Sequence, residues 1–512
     1  MTIDPRSTAT TSIEVAERVD VLVVGGGPAG LAAAIAAAEA GKSVILADEN
    51  PVSAEVMGDD VPLHFGQRMG GSVRNRNAMM EAMLASEPLL EAAVEAGVDV
   101  RLGTVVWGLY ANGPSVGWLP GMVAGLADGV GSAMLGCGAA IVAAGRRDMG
   151  LAFPGWELPG VMGATAAERL ASRYGALEAK RAVVLGTGAE ALLAALAMRR
   201  AGVDVVVVEQ AAAPVGPVAL LEQVGAAGIE VLTRHVIASA EGGLDGVSGA
   251  HVVGLDAQGQ RVAARARTIG CDTIVLGVGA VPVIELLDAA GCRTAWSDER
   301  GGYVAVVDGA QMTSVPGIYA VGDCAGVWAA KSMDRVVAEA EGARAAAHVV
   351  GGVAEVGEAP TGGGLGACRL EWVRRAVVEA VGAEAFVCQC EEVTAREILE
   401  VRPPRYLGWE RPRRNSADLA SLLGEGAPNP DQVKRLTRAG MGLCQGRRCR
   451  EQVAALLALG AGQALEAVPL ATYRAPVRPL PLAVAGSLAV TGEWDVWFGI
   501  EGQVTPYWEI ET

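Results

Sequence analysis

The chain has 512 residues, 51% hydrophobic and 19% charged, with a formal net charge of −17 at pH 7. These figures exclude a disordered chain and a nucleic-acid binder, which needs a basic surface, and the length predicts three or four domains. Nine cysteines, and a polar, acid-bearing stretch at residues 1–20 without the order of an export signal, predict a cytoplasmic protein whose clustered thiols serve metal or redox chemistry. Residues 21–41 and 182–208 are apolar enough to suggest membrane spans. Their glycines and turn signals read instead as strand, turn and buried helix.

The first element is a strand, Val21-Leu-Val-Val, running into Gly25-x-Gly27-x-x-Gly30. A helical run from Leu31 to Ala40 follows, then a second strand from Val44 that ends in Asp48 and Glu49. In a dinucleotide fold the first glycine allows the tight turn, the second lets the backbone approach a pyrophosphate, and the third lets helix pack on strand. The helix N-terminus offers N–H groups to the diphosphate, and an acid closing the second strand accepts from the adenosine ribose. Spacing favours Asp48, with Glu49 beside it. The pattern recurs at Gly186-Thr-Gly188-Ala-Glu-Ala191, followed by the strand Val205–Val208 and the acid Glu209. Glu190 puts a carboxylate where phosphates would approach. An acid at Glu209 favours NAD over NADP, and a scaffold fold, or one holding another nucleotide, is the alternative.

Further along, a strand from Ala140 precedes the turn-rich stretch 153–160, and Thr273-Ile-Val-Leu enters the turn at Gly277 and Gly279. The stretch Ile318-Tyr-Ala-Val-Gly322-Asp323 then leads to a helical segment near Lys331. With these motifs the chain resembles the FAD-dependent pyridine-nucleotide oxidoreductases of glutathione-reductase architecture. The resemblance implies that Gly322 and Asp323 contact the ribityl chain or diphosphate of FAD, and that Gln67, in Phe65-Gly-Gln67, meets the flavin. It also implies a FAD-binding domain split by insertion of the second fold. The α/β organisation expected is a 1–18 extension, 19–155 and 271–365 as the two parts of the FAD-binding domain, and 156–270 as the second dinucleotide fold. Residues 366–475 form a small, mainly α [2Fe–2S] domain with an inserted loop at 403–430, and 476–512 a C-terminal extension. Disulfide reductases of this class carry a redox cysteine pair near the flavin. No cysteine precedes Cys137 and the second fold has no Cys-x-x-Cys, so disulfide reduction is not expected.

Cys137, Cys271, Cys292, Cys324 and Cys368 are scattered and read as small apolar residues. The other four pair as Cys388-Gln-Cys390 and Cys444-Gln-Gly-Arg-Arg-Cys449, each on a loop leading into a helix. Helix N-termini and Arg447, Arg448 and Arg450 would help stabilise thiolates there. Structural zinc is the alternative, but Cys-x-Cys suits zinc poorly and a [2Fe–2S] cluster better. The segment also resembles the [2Fe–2S] module of bacterioferritin-associated ferredoxins, with a longer gap between the pairs.

Taken together, residues 18–480 resemble the α (or A) subunits of octopine and nopaline oxidases, hydrogen cyanide synthase and dye-linked proline or hydroxyproline dehydrogenases. That resemblance implies a β subunit of amino-acid-oxidase type carrying the substrate site, with room for a further small subunit, and for an FMN at a subunit interface. It further implies electron export through FAD and [2Fe–2S] to a quinone or carrier, in the cytoplasm or at the inner membrane face. A stand-alone NAD(P)H-dependent reductase is the alternative. The four histidines, His64, His235, His251 and His348, stand in no acid–base setting, and no catalytic residue is assigned.

Overall fold

The computed structural model describes residues 15–50, 70, 76–113, 119–352, 360, 364–379, 383–403 and 418–485. His64, Gln67 and half of the 403–430 loop lie outside the described residues. The Val-rich segment forms β1 (Glu17–Val24), with Val21, Leu22 and Val23 fully buried because a central parallel strand is covered on both faces. It pairs in parallel with β2 (Val44–Asp48) on one side and β6 (Ser132–Val142) on the other. With β3 (Asp99–Leu102), β4 (Val105–Tyr110) and β5 (Met122–Ala127) the order is β3-β2-β1-β6-β5-β4. A seventh strand, Ile318–Ala320, pairs with Ala140–Val142 of β6. This sheet therefore draws on two separate stretches of chain. Helix α1 (Pro28–Glu39) packs beneath the helix Arg335–Val349 so closely that a Cβ on Gly342 would stand 1.9 Å from the Ala29 carbonyl oxygen. Only glycine permits that approach.

Between those stretches lies a second, all-parallel sheet. Its order is β11 (Glu230–Leu232), β10 (Asp204–Val208), β9 (Arg181–Leu185), β15 (Thr273–Leu276) and β8 (Val161–Gly163). The strand at Thr273, expected to open the returning part of the FAD-binding domain, pairs with β9 and belongs to this sheet instead. All four of its residues are buried, which suits an interior position between two strands and no edge. A three-stranded antiparallel sheet, β12 (His235–Gly243), β13 (Gly246–Leu255) and β14 (Arg261–Gly270), flanks it. The two crossings between the sheets, β7 (Arg146–Asp148) and β16 (Ala280–Pro282), pair with each other as an antiparallel ribbon.

The cysteine-bearing region is mainly helical, with helices Leu365–Val373, Ala395–Leu399, Leu419–Glu425, Pro430–Thr437 and Arg450–Ala461 and one short ribbon, Phe386–Cys388 with Val393–Thr394. It is not a separate lobe. Val387 and Val453–Leu457 share one core with Val206, Val236 and Ile274 of the second fold. The described residues beyond 476 run back over the first fold: Val477 packs with Ile45, Ala47 and Val106, and Val484 with Val105 and Trp107.

Candidate cofactor site

At the end of β1 the chain turns at Gly25, whose φ of +107° and a would-be Cβ 2.3 Å from the Ala143 carbonyl oxygen both demand glycine. Gly30 is equally constrained, since its Cβ would meet the Gly25 carbonyl oxygen at 1.9 Å. Gly27 differs. It is the N-cap of α1 in ordinary extended conformation, makes no side-chain cap, and has nothing within 4 Å of its would-be Cβ. It borders a cavity of about 380 Å³ with Gly25, Asp48, Glu49, Ala143 and Gly145. Uncapped helix N–H groups beside an open cavity are the cradle a diphosphate needs. The donor set fits a dinucleotide.

Asp48 lines this cavity, and its Oδ2 accepts from Gly26 N–H at 2.5 Å while Oδ1 accepts from Asn50 N–H at 2.7 Å. The carboxylate is thus oriented, with lone pairs left for a ribose. Glu49 is also on the cavity wall, but its Oε1 is held at 2.5 Å by Arg478.

Gly322 and Asp323 open a single 3₁₀ turn after the strand Ile318–Ala320. Gly322 N–H donates to Glu341 at 2.8 Å, and Lys331 Nζ donates at 2.9 Å to the Gly322 carbonyl, the Gly326 carbonyl and Glu341. Burial pushes the Lys331 amine down and the Glu341 carboxyl up, and their ion pair opposes both. This buried pair fixes the turn, and a lysine in a helical stretch offered no sequence signal for it. Asp323 stands 3.5 Å from Arg146, a cavity-lining residue on the crossing ribbon. Arg146 also lies 3.5 Å from Glu190 and donates to Ser332 at 2.7 Å, and Ser332 donates to Glu190 at 2.6 Å.

In the second fold Gly186 has φ +94° and a would-be Cβ 2.5 Å from the Gly277 carbonyl oxygen. Gly188 caps the helix Ala189–Arg200. Glu209 is only 1% exposed, accepts from the Thr187 hydroxyl at 2.6 Å and from Ala211 N–H at 2.9 Å. Both acids of this fold are occupied by the protein itself.

The two cysteine loops meet. Cys390 Sγ lies 3.9 Å from Cys388 Sγ and 3.7 Å from Cys444 Sγ, and Cys388 also meets Cys449. Cys388, Cys444 and Cys449 are buried and Cys390 is exposed. Gly440 N–H points at Cys388 Sγ from 3.4 Å, and a Cβ on Gly442 would sit 2.6 Å from Cys390 Sγ. The hydrogen bond with Cys390, then burial, push the Cys444 thiol up. Among the described residues no group of three or more His, Cys, Asp or Glu side chains is arranged to hold a metal ion. Contacts link Cys449 with Cys388, Cys388 with Cys390 and Cys390 with Cys444, beside the backbone of Gly440 and Gly442.

Of the arginines near these loops, Arg447 and Arg448 line the same cavity as Gly27 and Asp48, and Arg448 donates to Gln389 between Cys388 and Cys390 at 3.1 Å. Arg450 turns away to the Ala471 carbonyl and the Tyr473 ring. Among the described residues neither histidine nor cysteine lines the cavity. His348 bonds Tyr319 at 2.9 Å, and His235 and His251 make local contacts. Cys137, Cys271 and Cys324 are buried, and burial pushes each thiol up to about 12. They are inert. Among the described residues no helix is long and apolar enough to cross a membrane.

Residues 19–347 match the pyridine nucleotide-disulphide oxidoreductase family, and residues 415–488 match the sarcosine oxidase A3 domain. The A subunit of opine oxidase from Agrobacterium tumefaciens is 28% identical, over 96% of this chain and 95% of its own length. The HcnB subunit of hydrogen cyanide synthase from Pseudomonas protegens is 28% identical, over 84% and 89% respectively. The solved structure of L-proline dehydrogenase from P. horikoshii superposes over 92% of this chain and 80% of its own with a TM-score of 0.59 at 18% identity, a likeness of fold. The chain belongs to the pyridine nucleotide-disulphide oxidoreductase family, as a flavin-dependent oxidoreductase whose relatives are subunits of opine oxidase and hydrogen cyanide synthase.

Proposed function

We propose that this chain is the electron-transferring α subunit of a heteromeric amine or amino-acid dehydrogenase of opine or proline type. A partner subunit of amino-acid-oxidase type carries the C–N chemistry, and electrons leave through this chain to a quinone or carrier. FAD and a [2Fe–2S] cluster, when bound, supply the conversion between two-electron and one-electron transfer. Gly25, Gly27 and the α1 N-terminus receive the diphosphate, Asp48 the ribose, and Gly322 and Asp323 the middle of the cofactor. Cys388, Cys390, Cys444 and Cys449 hold the cluster. One observation carries the reading: the Cys444–Cys449 loop, through Arg447 and Arg448, is a wall of the cavity that starts at Gly27. A thiol site that shares a wall with a dinucleotide cleft supports electron transfer between the two. The Cys388-Gln-Cys390 spacing also suits a two-iron centre better than a structural zinc, whose pairs are usually two to four residues apart.

The test uses Cys390→Ser and Cys444→Ser in the complex with its partner. Each variant loses iron and acid-labile sulfide yet keeps stoichiometric FAD. In stopped flow, substrate still reduces the partner's flavin in a single turnover, while steady-state dye reduction falls at least ~10²-fold. One zinc with no iron in the wild type, or amine oxidation by this chain alone, overturns the proposal.

A further inference from the structure

The segment that follows the cysteine-bearing helices is also part of the dinucleotide cavity. Tyr473 N–H donates to Asp288 at 3.0 Å, and Val477 N–H donates to the Trp107 carbonyl at 2.8 Å. The buried Arg447 donates to the Val477 carbonyl at 2.9 Å, so the segment is pinned on both sides. Val477 is 5% exposed inside the core of the first fold. Held this way, Val477, Arg478 and Pro479 line the same cavity as Gly25, Gly27, Asp48 and Glu49. Arg478 reaches Glu49 at 2.5 Å, with both side chains about one-third exposed.

The charges at this end of the cavity need an explanation. An acid at the end of β2 serves the adenosine ribose, and here two acids stand side by side in a chain of net charge −17. A dinucleotide brings a dianionic diphosphate within a few residues of them. Asp48 is already solvated by two backbone N–H groups and the Asn50 side chain. Glu49 has Arg478 alone among its described partners, and without it would face the diphosphate as a bare charge in a partly desolvated cleft.

We infer that Arg478, carried across by the Tyr473–Pro479 strap, is a residue of the cofactor site, and that its role is to neutralise Glu49 at the adenosine end. Glu49 is then the charge that Arg478 cancels and not a ribose ligand, while the strap itself is held by Tyr473, Val477 and Arg447. The inference rests on the reading that the first fold holds FAD.

The experiment is a double-mutant cycle on the full chain, read as the Kd of FAD and, separately, of ADP for flavin-free protein. Arg478→Ala weakens FAD about tenfold and ADP by a similar factor, while cysteine-bound iron is unchanged. Arg478→Lys retains most of the affinity. Glu49→Gln alone changes affinity little. Glu49→Gln in the Arg478→Ala background restores it, because the unneutralised acid is gone. A purely structural pin behaves otherwise: Glu49→Gln then weakens FAD as much as Arg478→Ala, and the double variant gains nothing back. That pattern, or an Arg478→Ala protein with unchanged Kd for FAD, overturns the inference. Wild-type protein that holds no FAD defeats the underlying reading of the first fold instead, so the two failures are distinct.

Discussion

At the residue scale, the three glycines of the first turn do separate jobs, and their would-be side chains tell them apart. A Cβ on Gly30 collides with the Gly25 carbonyl oxygen at 1.9 Å, whereas one on Gly27 enters open cavity. Gly30→Val therefore destabilises the fold, by about 3 kcal/mol. Gly27→Val leaves the unfolding midpoint nearly unchanged and weakens FAD at least ~10²-fold, because the side chain fills the space of the diphosphate. Thermal unfolding beside flavin content separates them, and stoichiometric FAD in Gly27→Val would sink the assignment. Asp148 makes a second residue-scale case. Burial raises its carboxyl to about 6, against hydrogen bonds from the Thr165 N–H and hydroxyl that favour the ionised form. A carboxyl raised above its unfolded value of 3.8 binds its proton more tightly when folded. Its contribution is present below about pH 4 and lost as pH rises through about 6. Asp148→Asn keeps the acceptor for Thr165 without this titration. In flavin-free protein the variant should gain on the wild type between pH 4 and pH 8, by on the order of 2 kcal/mol in unfolding free energy. Equal differences at both pH values would refute the buried-carboxylate account.

Elements show what periodicity and motif could and could not reveal. β1, α1 and β2 were legible because strand, glycine turn, helix and acid are a local code, and the two cysteine pairs because thiols that close in sequence rarely lie apart. The membership of Thr273–Leu276 was not legible. An apolar four-residue strand looks the same in either sheet, and its place beside β9 is set by a partner far earlier in the chain. The Lys331–Glu341 pair was hidden for a similar reason, since a charged residue in a helix reads as solvent-facing until the turn it fastens is seen to be buried. The strap was hidden most deeply. Tyr473–Pro479 has no regular secondary structure and no periodicity, so only tertiary contacts identify it as part of the first fold. The cysteine-bearing helices were recognised as helices, but not as sharing a core with the second fold. The Ala-rich face of Arg450–Ala461 carries no mark of which partner buries it.

For the whole molecule, the question is whether the second dinucleotide fold delivers hydride to the first. The crossing ribbon brings Arg146 to the junction, where one guanidinium serves Asp323 of the first fold and Glu190 of the second, with Ser332 bonded to both Arg146 and Glu190. Glu190 sits in the first turn of the helix at Gly188, where a nicotinamide dinucleotide would place its phosphates. A carboxylate held there by its own ion pair repels them, and release would cost the pair. Glu209, the only candidate in this fold to receive an adenosine ribose, is buried and taken by Thr187. The fold thus uses both acids to hold itself together and to brace the crossing ribbon at Arg146. NADH mixed anaerobically with the FAD-loaded chain should bleach the flavin slower than about 0.1 s⁻¹, well below ordinary enzymatic turnover. Dithionite should reduce the same sample fully, which shows that the flavin is competent. Glu190→Ala removes the repulsion but also one carboxylate from Arg146, and Glu209 remains closed, so NADH reduction should stay slow in that variant as well. Rapid bleaching of the wild type would make the chain a reductase in its own right and return the second fold to catalysis. Rapid bleaching of Glu190→Ala alone would mean that a single carboxylate, and not the closed Glu209 site, keeps NADH out.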